Sequence, residues 1–574
     1  MVCRRFSGVL CAYYAPMSSS VRFFVHPLRS QPLRAVTAAA LLLVALITGK
    51  AAHAQAPAEL PSFAELQAAG ATVGEIRVLP QPIFDTNDPA ENYALFRLAN
   101  RLHIPTQESV IRRALLFQTG EPVSVRLIEE TERLLRSNRY LFDVSLRPVA
   151  VRDGVVDIEV VTRDTWSLSV GAGVGTSGGE SSSSVEFSEY NLFGTGTTLG
   201  FKRSNDVDRS STELEYANNR VFGTWASVAA SHASNSDGSR SAVSVVRPFY
   251  ALDARWSVGF RASSDDRIDP LYQAGEIARQ YRATQSQAEV FGGWSDGLMD
   301  GWVRRHTLGW SASRVSYAAE PGLVAPALLP DNRRRVGPYW RYDLIEDRVE
   351  RELNRNLVGR PEFFQLGLFA SLQVNWDGHA VGSDRDALRV SASTSRGFAP
   401  RPGDTLIARA AWSGEFLQGG AGSQFLSAGA QYYRPQTRYR LFYASAEASW
   451  IVRPGPTDQL VLGGDSGLRG YPLRYQSGTR RVLLTAEQRF YTDVYLWRLF
   501  RLGGAAFVDV GRAWGGVLPN TDNPGWLSDV GLGLRIVSER SSFGTVVHID
   551  MAMPLNRAGD ISKAQFQVKA KRSF

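Results

Sequence analysis

The sequence predicts a transmembrane antiparallel β-barrel that follows a small N-terminal α+β domain. The composition of the 574-residue chain changes once, near Asp164, so two unequal units are expected. Beyond that point no apolar run reaches the roughly 20 residues of a membrane-spanning helix, whereas short segments of alternating polarity recur to the C-terminus. Only strands closed into a barrel would satisfy the backbone hydrogen bonds of such segments within a bilayer.

The first 54 residues carry the features of a secretory signal. Basic residues precede an apolar run at 35–47, and a small-residue site at 52–54 follows it. This is the order of the charged, hydrophobic and cleavage regions of a signal peptide, and the run is too short to span a bilayer. Residues 1–54 are therefore expected to contain a signal peptide that is removed during export, which leaves Gln55 as the first mature residue.

Cysteine content and charge exclude several classes of protein. Cys3 and Cys11 both lie ahead of the apolar run, so the exported chain is expected to contain no disulfide and no cysteine-ligated metal. The formal charge of +8 arises from basic residues interspersed with acids and not from a basic block. This pattern argues against nucleic acid as a partner and favours a charged lumen and a membrane surface.

Residues 70–163 have the order strand, helices, strand, strand. The segment 74–79 alternates like a strand, and Asp-Gly at 153–154 separates two further alternating runs, 142–151 and 155–162, which predicts a β-hairpin. Three helices are expected between the first strand and the hairpin. They are a helix at 89–101 with a capping box, a short helix at 110–115 and a helix that opens at Ser124.

Two segments of this unit resemble the polypeptide-transport-associated (POTRA) domain. They are Phe-Gln-Thr-Gly-Glu-Pro at 117–122, between helices, and Arg-Tyr-Leu-Phe-Asp-Val at 139–144, which enters the hairpin. The first helix departs from the two-helix plan of such domains. The resemblance implies a periplasmic domain whose second strand, with Phe142, Val144 and Leu146, is an open edge that captures an extended client. A spacer domain that contacts no client is the alternative.

The segment 165–574 shows the alternation of a barrel wall. Between 530 and 536 apolar residues occupy one parity, while glycines and Arg535 occupy the other. The segment 547–553 repeats this pattern, with Asp550 on the polar face. A soluble β-sandwich would also alternate, but it would not extend over this length without a second core.

The segment 565–574 resembles the terminal strand signal by which outer-membrane barrels are recognised for assembly. One face carries apolar residues and the chain ends on an aromatic residue: Phe566, Val568, Ala570 and Phe574. The resemblance implies that outer-membrane assembly machinery inserts the chain and that lipid surrounds its outer face.

A glycine-rich motif, Gly-Gly-Asp-Ser-Gly-Leu-Arg-Gly-Tyr at 463–471, lies in a long loop between two expected strands. It resembles the arginine-glycine-aromatic loop of the superfamily that includes the bacterial outer-membrane assembly insertases, the two-partner-secretion pores and the bacterial surface antigen barrels. In that family the loop folds into the lumen, and its arginine meets acids on the next two strands. The resemblance implies a lumenal latch formed by Arg469, Gly470, Tyr471, Glu487 and Asp509. A bidentate carboxylate favours a guanidinium shielded from water, and Gly470 would allow a tight turn; an ordinary surface loop is the alternative.

The expected number of strands follows from the same resemblance. About twenty strand-like segments lie between 166 and 574, whereas the family has about 16 strands. We therefore expect about 16 strands, with roughly 18–20 as the alternative, and assign part of the surplus between 263 and 424 to loop hairpins. The charged, helix-like stretch 343–360 is expected to be a loop excursion.

Two short motifs resemble enzyme signatures but lack their context. Gly-Asp-Ser-Gly at 464–467 matches the surroundings of a trypsin-like nucleophile, yet no matching histidine site stands upstream in the mature chain. Gly-Thr-Ser-Gly-Gly at 175–179 matches a hydrolase elbow but lies in a turn between alternating strands. The histidines show no metal-ligand spacing. We therefore expect no catalytic residue, no metal and no cofactor.

These features favour a non-enzymatic factor of the outer membrane that assembles or translocates proteins, with its N-terminal domain in the periplasm. Unfolded outer-membrane or secreted polypeptides would be its clients. A passive outer-membrane pore or structural barrel is the alternative, and transport of lipid is a third hypothesis.

Overall fold

A computed structural model describes residues 60–574, except for residue 90 and the segments 359–360, 497–499, 517, 519–524, 539–545, 557–560 and 572–574. The predicted signal region 1–54, Gln55 and Phe574 therefore lie outside the described residues. Residues 60–574 form one unit by their contacts, and this unit holds both an N-terminal sheet and a barrel.

Residues 60–164 form a small α+β domain. Its sheet has the order β1-β3-β2, in which β1 and β3 are parallel and β3 and β2 are antiparallel. Asp153 and Gly154 make the hairpin turn with φ angles of 52° and 77°, the left-handed conformation that Asp-Gly favours. The elements are α1 (Phe63–Ala68), β1 (Thr72–Gln81), α2 (Ala94–Leu102), α3 (Glu108–Arg112), α4 (Val125–Arg136), β2 (Leu141–Arg152) and β3 (Val155–Asp164).

The start of this domain differs from the expectation in two places. Helix α2 begins at Ala94 and not at residue 89. The carboxylate of Glu91 accepts a hydrogen bond from the Asp85 N–H at 2.7 Å, so it stabilises a turn and does not cap the helix. Helix α1 was not expected, although Ser62 and Glu65 form a capping box at its N-terminus.

The domain core lies between one face of the sheet and the helices. Burial of these apolar side chains is the main favourable contribution to folding of the domain. The core includes Val73, Ile76, Val78, Ile111, Ile128, Leu135, Val144, Val156, Ile158 and Val160. Among the described residues, no helix combines the length and hydropathy needed to span a bilayer.

Twenty antiparallel strands close into a barrel over the described residues. The expectation of about 16 strands is therefore wrong. The reason is that segments assigned to loops pair continuously with neighbours on both sides, as β11 does with β10 and β12. The first ten strands are β4 (Leu168–Ser177), β5 (Glu180–Leu192), β6 (Thr197–Asn205), β7 (Ser210–Asn218), β8 (Ser227–Asn235), β9 (Gly238–Arg247), β10 (Trp256–Gln273), β11 (Glu276–Met299), β12 (Trp302–Ala318) and β13 (Arg333–Glu346).

Two short two-stranded sheets lie between wall strands in the second half of the sequence and are not part of the barrel wall. They are β14 (Val349–Leu353) with β15 (Pro361–Gln365), and β21 (Leu460–Leu462) with β22 (Gln476–Gly478). The remaining wall strands are β16 (Phe369–Asp377), β17 (Ala387–Phe398), β18 (Thr405–Leu417), β19 (Gly420–Thr437), β20 (Arg440–Val452), β23 (Arg480–Leu496), β24 (Phe500–Trp514), β25 (Leu527–Ser538), β26 (Val546–Pro554) and β27 (Gln565–Lys571).

Side chains of the wall alternate between the two faces, as the sequence predicted. On β25, Leu532 and Leu534 are exposed while Asp529 and Arg535 are fully buried. In a closed barrel an exposed apolar face is the lipid-facing outside, and a buried charged face is the lumen. The buried charged residues of β23 to β26 therefore lie inside the barrel; they are Glu487, Arg489, Asp509, Asp529, Arg535 and Asp550.

Candidate functional site in the barrel lumen

Two insertions enter the barrel from opposite ends. Because β4 follows the N-terminal domain and consecutive strands reverse direction, the connections alternate between an end near that domain and a far end. The loop 453–479, between β20 and β23, starts from the far end. The segment 347–368, between β13 and β16, starts from the near end and contains the β14-β15 hairpin.

Arg469 anchors the far-end loop to the lumenal wall. Its Nε and Nη2 donate to the two carboxylate oxygens of Asp509 on β24, at 2.7 and 3.0 Å. Its Nη1 donates to Glu487 on β23 at 3.0 Å, and the guanidinium lies 3.2 Å from the ring centroid of Phe507. Bidentate geometry, a second carboxylate and an aromatic face together hold the buried guanidinium in one position.

Further charged side chains extend this cluster along the wall. Asp550 on β26 lies 3.7 Å from Arg469 Nη1 and accepts from Arg535 at 2.5 Å. Arg489 Nε donates at 3.0 Å to Oε1 of Glu487, the carboxylate oxygen that Arg469 does not contact. The result is a network of alternating charges in which each carboxylate faces at least one guanidinium, as buried charges require.

Gly470 and Tyr471 dock the backbone of the same turn. The Gly470 N–H donates to Asp529 at 3.0 Å, and a Cβ at this residue would lie 2.6 Å from that of Asp529. Gly470 does not have a positive φ, so its lack of a side chain permits close approach to the wall and not the expected tight turn. The Tyr471 hydroxyl lies 3.0 and 3.1 Å from the carbonyl oxygens of Ser528 and Asn556.

An apolar cluster seals the loop against the wall. Leu462, Leu468 and Tyr471 of the loop pack on Leu483 and Ala513 of the wall, and all five are buried. This packing excludes water from the arginine cluster beside it and strengthens the electrostatic interactions there. Ser466, within the motif that resembles a serine nucleophile, accepts from the Gly463 N–H at 2.8 Å and so stabilises a turn.

The loop also contacts the strands that close the barrel. Between β27 and β4, Val568 and Thr176 are the one pair of described residues in register. Gln567 of β27 donates to the Gly464 carbonyl of the loop at 2.7 Å and to Ser177 at 2.6 Å. The loop therefore bridges the seam between the first and last strands from the inside.

The β14-β15 hairpin fills the lumen at the near end. Val358 and Leu366, in and after the hairpin, are buried against lumenal side chains of β19 and β23, including Tyr433 and Tyr491. Arg489 Nη1 donates to the Arg355 carbonyl at 2.6 Å. Since Arg489 also pairs with Glu487, the hairpin and the loop meet at one ion pair of the wall. The expected loop excursion is present, because residues 347–368 leave the wall between β13 and β16. Its helix-like character is wrong, because the segment forms paired strands.

The N-terminal domain contacts the near-end turns of the barrel. Glu130 on α4 accepts from the Leu252 N–H at 2.7 Å and pairs with Arg126 at 3.0 Å. Arg126 also pairs with Asp253. Burial in this junction raises the pKa of Glu130, an effect that the backbone hydrogen bond from Leu252 partly opposes.

The structure brings the five predicted latch residues to one place. Sequence reasoning missed four charged neighbours of that cluster, although their parity had already assigned two of them, Arg535 and Asp550, to the polar face. The missed residues are Arg489, Asp529, Arg535 and Asp550. Among the described residues, no group of three or more potential metal ligands was found.

The strand that was predicted to capture clients, β2, lies at an edge of the sheet as expected, but some of its side chains pack in the domain core. Phe142, Val144 and Leu146 lie on β2, at one edge of the three-stranded sheet. Val144 is buried in the domain core and Leu146 packs against it. Arg136 on α4 donates to the Val144 carbonyl, so one backbone acceptor of β2 is already occupied.

Of the predicted terminal signal, Phe566, Val568 and Ala570 lie on β27. Phe566 is exposed on the lipid-facing side, while Gln565 and Gln567 are buried. Phe574 lies outside the described residues.

Replacing Phe574 with Asp is expected to lower the amount of assembled barrel roughly tenfold or more, because residue 574 has the same sequence parity as the apolar residues Phe566 and Val568 of the predicted terminal signal. Export across the inner membrane would continue. The measurement is the fraction of membrane protein that stays folded in cold detergent electrophoresis, with Phe574→Tyr as the matched control. A normal yield of Phe574→Asp would contradict the terminal-signal prediction.

The family model described as "Omp85 superfamily domain" matches residues 191–574, which is most of the chain. The chain belongs to the Omp85 superfamily. The superfamily that its loop motif indicated is thereby confirmed, and its Omp85 barrel identifies it as an outer-membrane protein. No curated protein matches the sequence.

Solved structures that are similar to this Omp85 chain include one BamA and two CdiB proteins. BamA from Haemophilus ducreyi lacking POTRA domains 1–3 is 14% identical to this chain. The match covers 87% of this chain and 85% of the BamA chain, with a TM-score of 0.40. CdiB from Acinetobacter baumannii is 13% identical over 87% of this chain and 74% of its own, with a TM-score of 0.40. CdiB from Escherichia coli is also 13% identical, over 87% and 76%, with a TM-score of 0.46.

Proposed function

We propose that this Omp85 protein assembles or translocates polypeptides at the outer membrane and catalyses no chemical reaction. The observation that carries the proposal is the loop 453–479, which Arg469 holds inside the lumen against Asp509 and Glu487. A loop fixed by a compact ion-pair cluster has a defined resting position, and its release would open the lumen and the seam that it bridges. We assign to this latch a role in admitting clients.

The domain organisation that goes with this function is also a proposal. Residues 1–54 would contain the signal peptide, 70–163 the POTRA-like domain in the periplasm, and 165–574 the barrel. The sheet order β1-β3-β2 supports the assignment, because β2 lies at an edge that an extended polypeptide could join. A polypeptide that joined β2 would have to displace the hydrogen bond from Arg136 to the Val144 carbonyl.

A passive outer-membrane pore or structural barrel is the alternative function. An open pore needs a continuous aqueous lumen, whereas here the loop 453–479 and the β14-β15 hairpin both pack on the lumenal wall. These two insertions favour a gated path. No contact in the described structure specifically supports transport of lipid.

The experiment that tests the proposal measures client folding. The full chain is reconstituted in phospholipid vesicles, and an unfolded eight-stranded outer-membrane barrel diluted from urea serves as the probe client. We expect the probe to fold several-fold faster than in empty vesicles and to photo-crosslink to a reactive group placed at Ser145, an exposed residue of β2. A reactive group at Ala68, exposed on α1, is the matched control. Equal folding rates with and without the protein would support a passive pore.

A further inference from the structure

Helix α2 carries an apolar stripe on the surface of the N-terminal domain. In the part of the chain that the structure describes, Leu95, Leu98 and Leu102 are 61%, 51% and 64% exposed. Their spacing of three and four residues places them on one face of the helix. Single exposed leucines are ordinary, but a row of three on one helix marks an interaction surface.

The opposite face of α2 already holds the helix on its domain. Phe96 is buried and stacks on Phe84, with ring centroids 4.0 Å apart. Asn100 donates to the Phe84 carbonyl at 2.7 Å and accepts from its N–H at 3.1 Å, and Trp166 packs beside the two rings. The leucine stripe is therefore separate from the face that folds the helix onto the domain.

The C-terminal end of α2 leads directly to the near-end rim of the barrel. Thr106, four residues beyond the helix, donates through its N–H and its hydroxyl to Asp164 at 2.7 and 2.9 Å. Asn191, near the end of β5, donates to the Thr106 hydroxyl at 2.8 Å, and the Gln107 N–H donates to the carbonyl of Gly194 in the following turn at 2.9 Å. These contacts fix the segment that follows the helix to the near-end rim of the barrel.

Exposed apolar residues also lie at the near end of the barrel itself. Leu168 and Val170 are exposed at the start of β4, while the neighbouring Ser167 and Ser169 are buried. The two apolar side chains therefore face lipid. Phe193 at the rim and Ile104 after α2 are exposed as well. Exposed apolar side chains therefore occur on the wall and the rim at the near end of the barrel as well as on the helix.

The charges of α2 suit a phospholipid surface. The helix contains Arg97 and Arg101, both exposed and four residues apart, and it contains no acid. Leucines on one face with arginines beside them are typical of helices that lie in the plane of a membrane interface. Anionic headgroups attract basic side chains at this depth.

We propose that α2 is an interfacial helix that binds the phospholipid leaflet at the near end of the barrel. Its three leucines enter the acyl region, and its two arginines contact headgroup phosphates. The N-terminal domain is then fastened at two places, by its polar junction with the barrel turns and by the bilayer itself. This inference rests on the barrel spanning the outer membrane and is independent of the proposed client function.

The test measures the depth of α2 in vesicles of phosphatidylcholine and phosphatidylglycerol. Leu98→Cys is made in the full chain with Cys3→Ser and Cys11→Ser, labelled with an environment-sensitive fluorophore and reconstituted with doxyl-labelled lipid. We expect doxyl lipid to quench this label several-fold more strongly than the same label at Ala68→Cys on α1, which is exposed on the same domain. Equal quenching at the two positions would overturn the proposal.

Two further outcomes separate the occupants of the stripe. If the Leu98 label is shielded from aqueous iodide but doxyl lipid leaves it unquenched, a protein covers the stripe, either a second copy or a client, and the proposal fails. Arg97→Gln with Arg101→Gln is expected to reduce quenching in vesicles with phosphatidylglycerol to the level in pure phosphatidylcholine. Quenching that is unchanged by this double substitution would overturn the assigned headgroup contact.

Discussion

Arg469→Ala is expected to remove most of the client-folding activity while the barrel still assembles. The substitution leaves Asp509, Glu487 and Asp550 in a buried lumenal cluster without the guanidinium that they share. Loss of one partner from a buried ion pair costs about 3–5 kcal/mol, which exceeds the contribution of any surface contact of the loop. We therefore expect the loop to leave its resting position. Because such a loop can no longer switch between a closed and an open state, we expect the folding rate of a probe client to fall roughly tenfold or more.

Two matched variants distinguish this effect from a general loss of charge. Arg469→Lys keeps the charge but loses the bidentate contact to Asp509, so intermediate activity is expected. Arg438→Ala removes a 75% exposed arginine that pairs with Asp493 at a near-end turn, and its activity is expected to stay normal. The measurement is the probe folding rate divided by the amount of heat-modifiable barrel. Full activity of Arg469→Ala would refute the latch.

Removing the β14-β15 hairpin is expected to open the near end of the lumen. Replacement of residues 349–366 by a short Gly-Ser linker deletes Val358, Phe364 and Leu366, whose side chains are buried against the lumenal wall. It also removes the Arg355 carbonyl that Arg489 contacts. The wall should persist because β13 and β16 pair directly with each other. We expect single-channel conductance in planar bilayers to rise several-fold.

The control for this deletion is Arg351→Ala, which changes an exposed residue of the same hairpin and should leave conductance unchanged. Tyr491→Phe removes the hydroxyl that donates to the Asn354 carbonyl at 2.8 Å, so it should increase brief openings without a permanent rise. If the deletion variant conducts no better than the original protein, the hairpin does not close the lumen.

The two insertions are expected to influence each other because they meet at the Glu487-Arg489 pair. Arg469 holds one oxygen of Glu487, and Arg489 holds the other while donating to the hairpin backbone. A shared ion pair of this kind makes the effects of two changes non-additive. Arg469→Ala and the hairpin deletion should therefore alter conductance together by less than the product of their separate effects.

The sequence predicted most of the wall and the centre of the lumenal cluster. Alternation at 530–536 and 547–553 placed Arg535 and Asp550 on the polar face, and the structure buries both residues in the lumen. The motif that ends in Arg469, Gly470 and Tyr471 indicated a superfamily that the match over 191–574 confirms. Both signals were available because alternation and a short motif are local properties of the chain.

Local sequence patterns, however, do not determine which strands pair with each other. The number of strands depends on which neighbour each segment pairs with, so segments between 263 and 424 that could be wall or loop became wall only in the closed sheet. The β14-β15 hairpin has charged residues at helix-like spacing, but its partners, among them Tyr433 and Tyr491, lie far along the chain.

The sequence by itself therefore determined the alternating barrel, the loop that carries Arg469, and two acids that could meet it on the following strands. Only the tertiary structure decided the closure at 20 strands, the hairpin inside the lumen, and the addition of Asp529 and Asp550 to the cluster. The physical reason is that a strand's two faces are encoded by its own residues, whereas curvature, closure and contacts across a lumen depend on residues hundreds of positions apart.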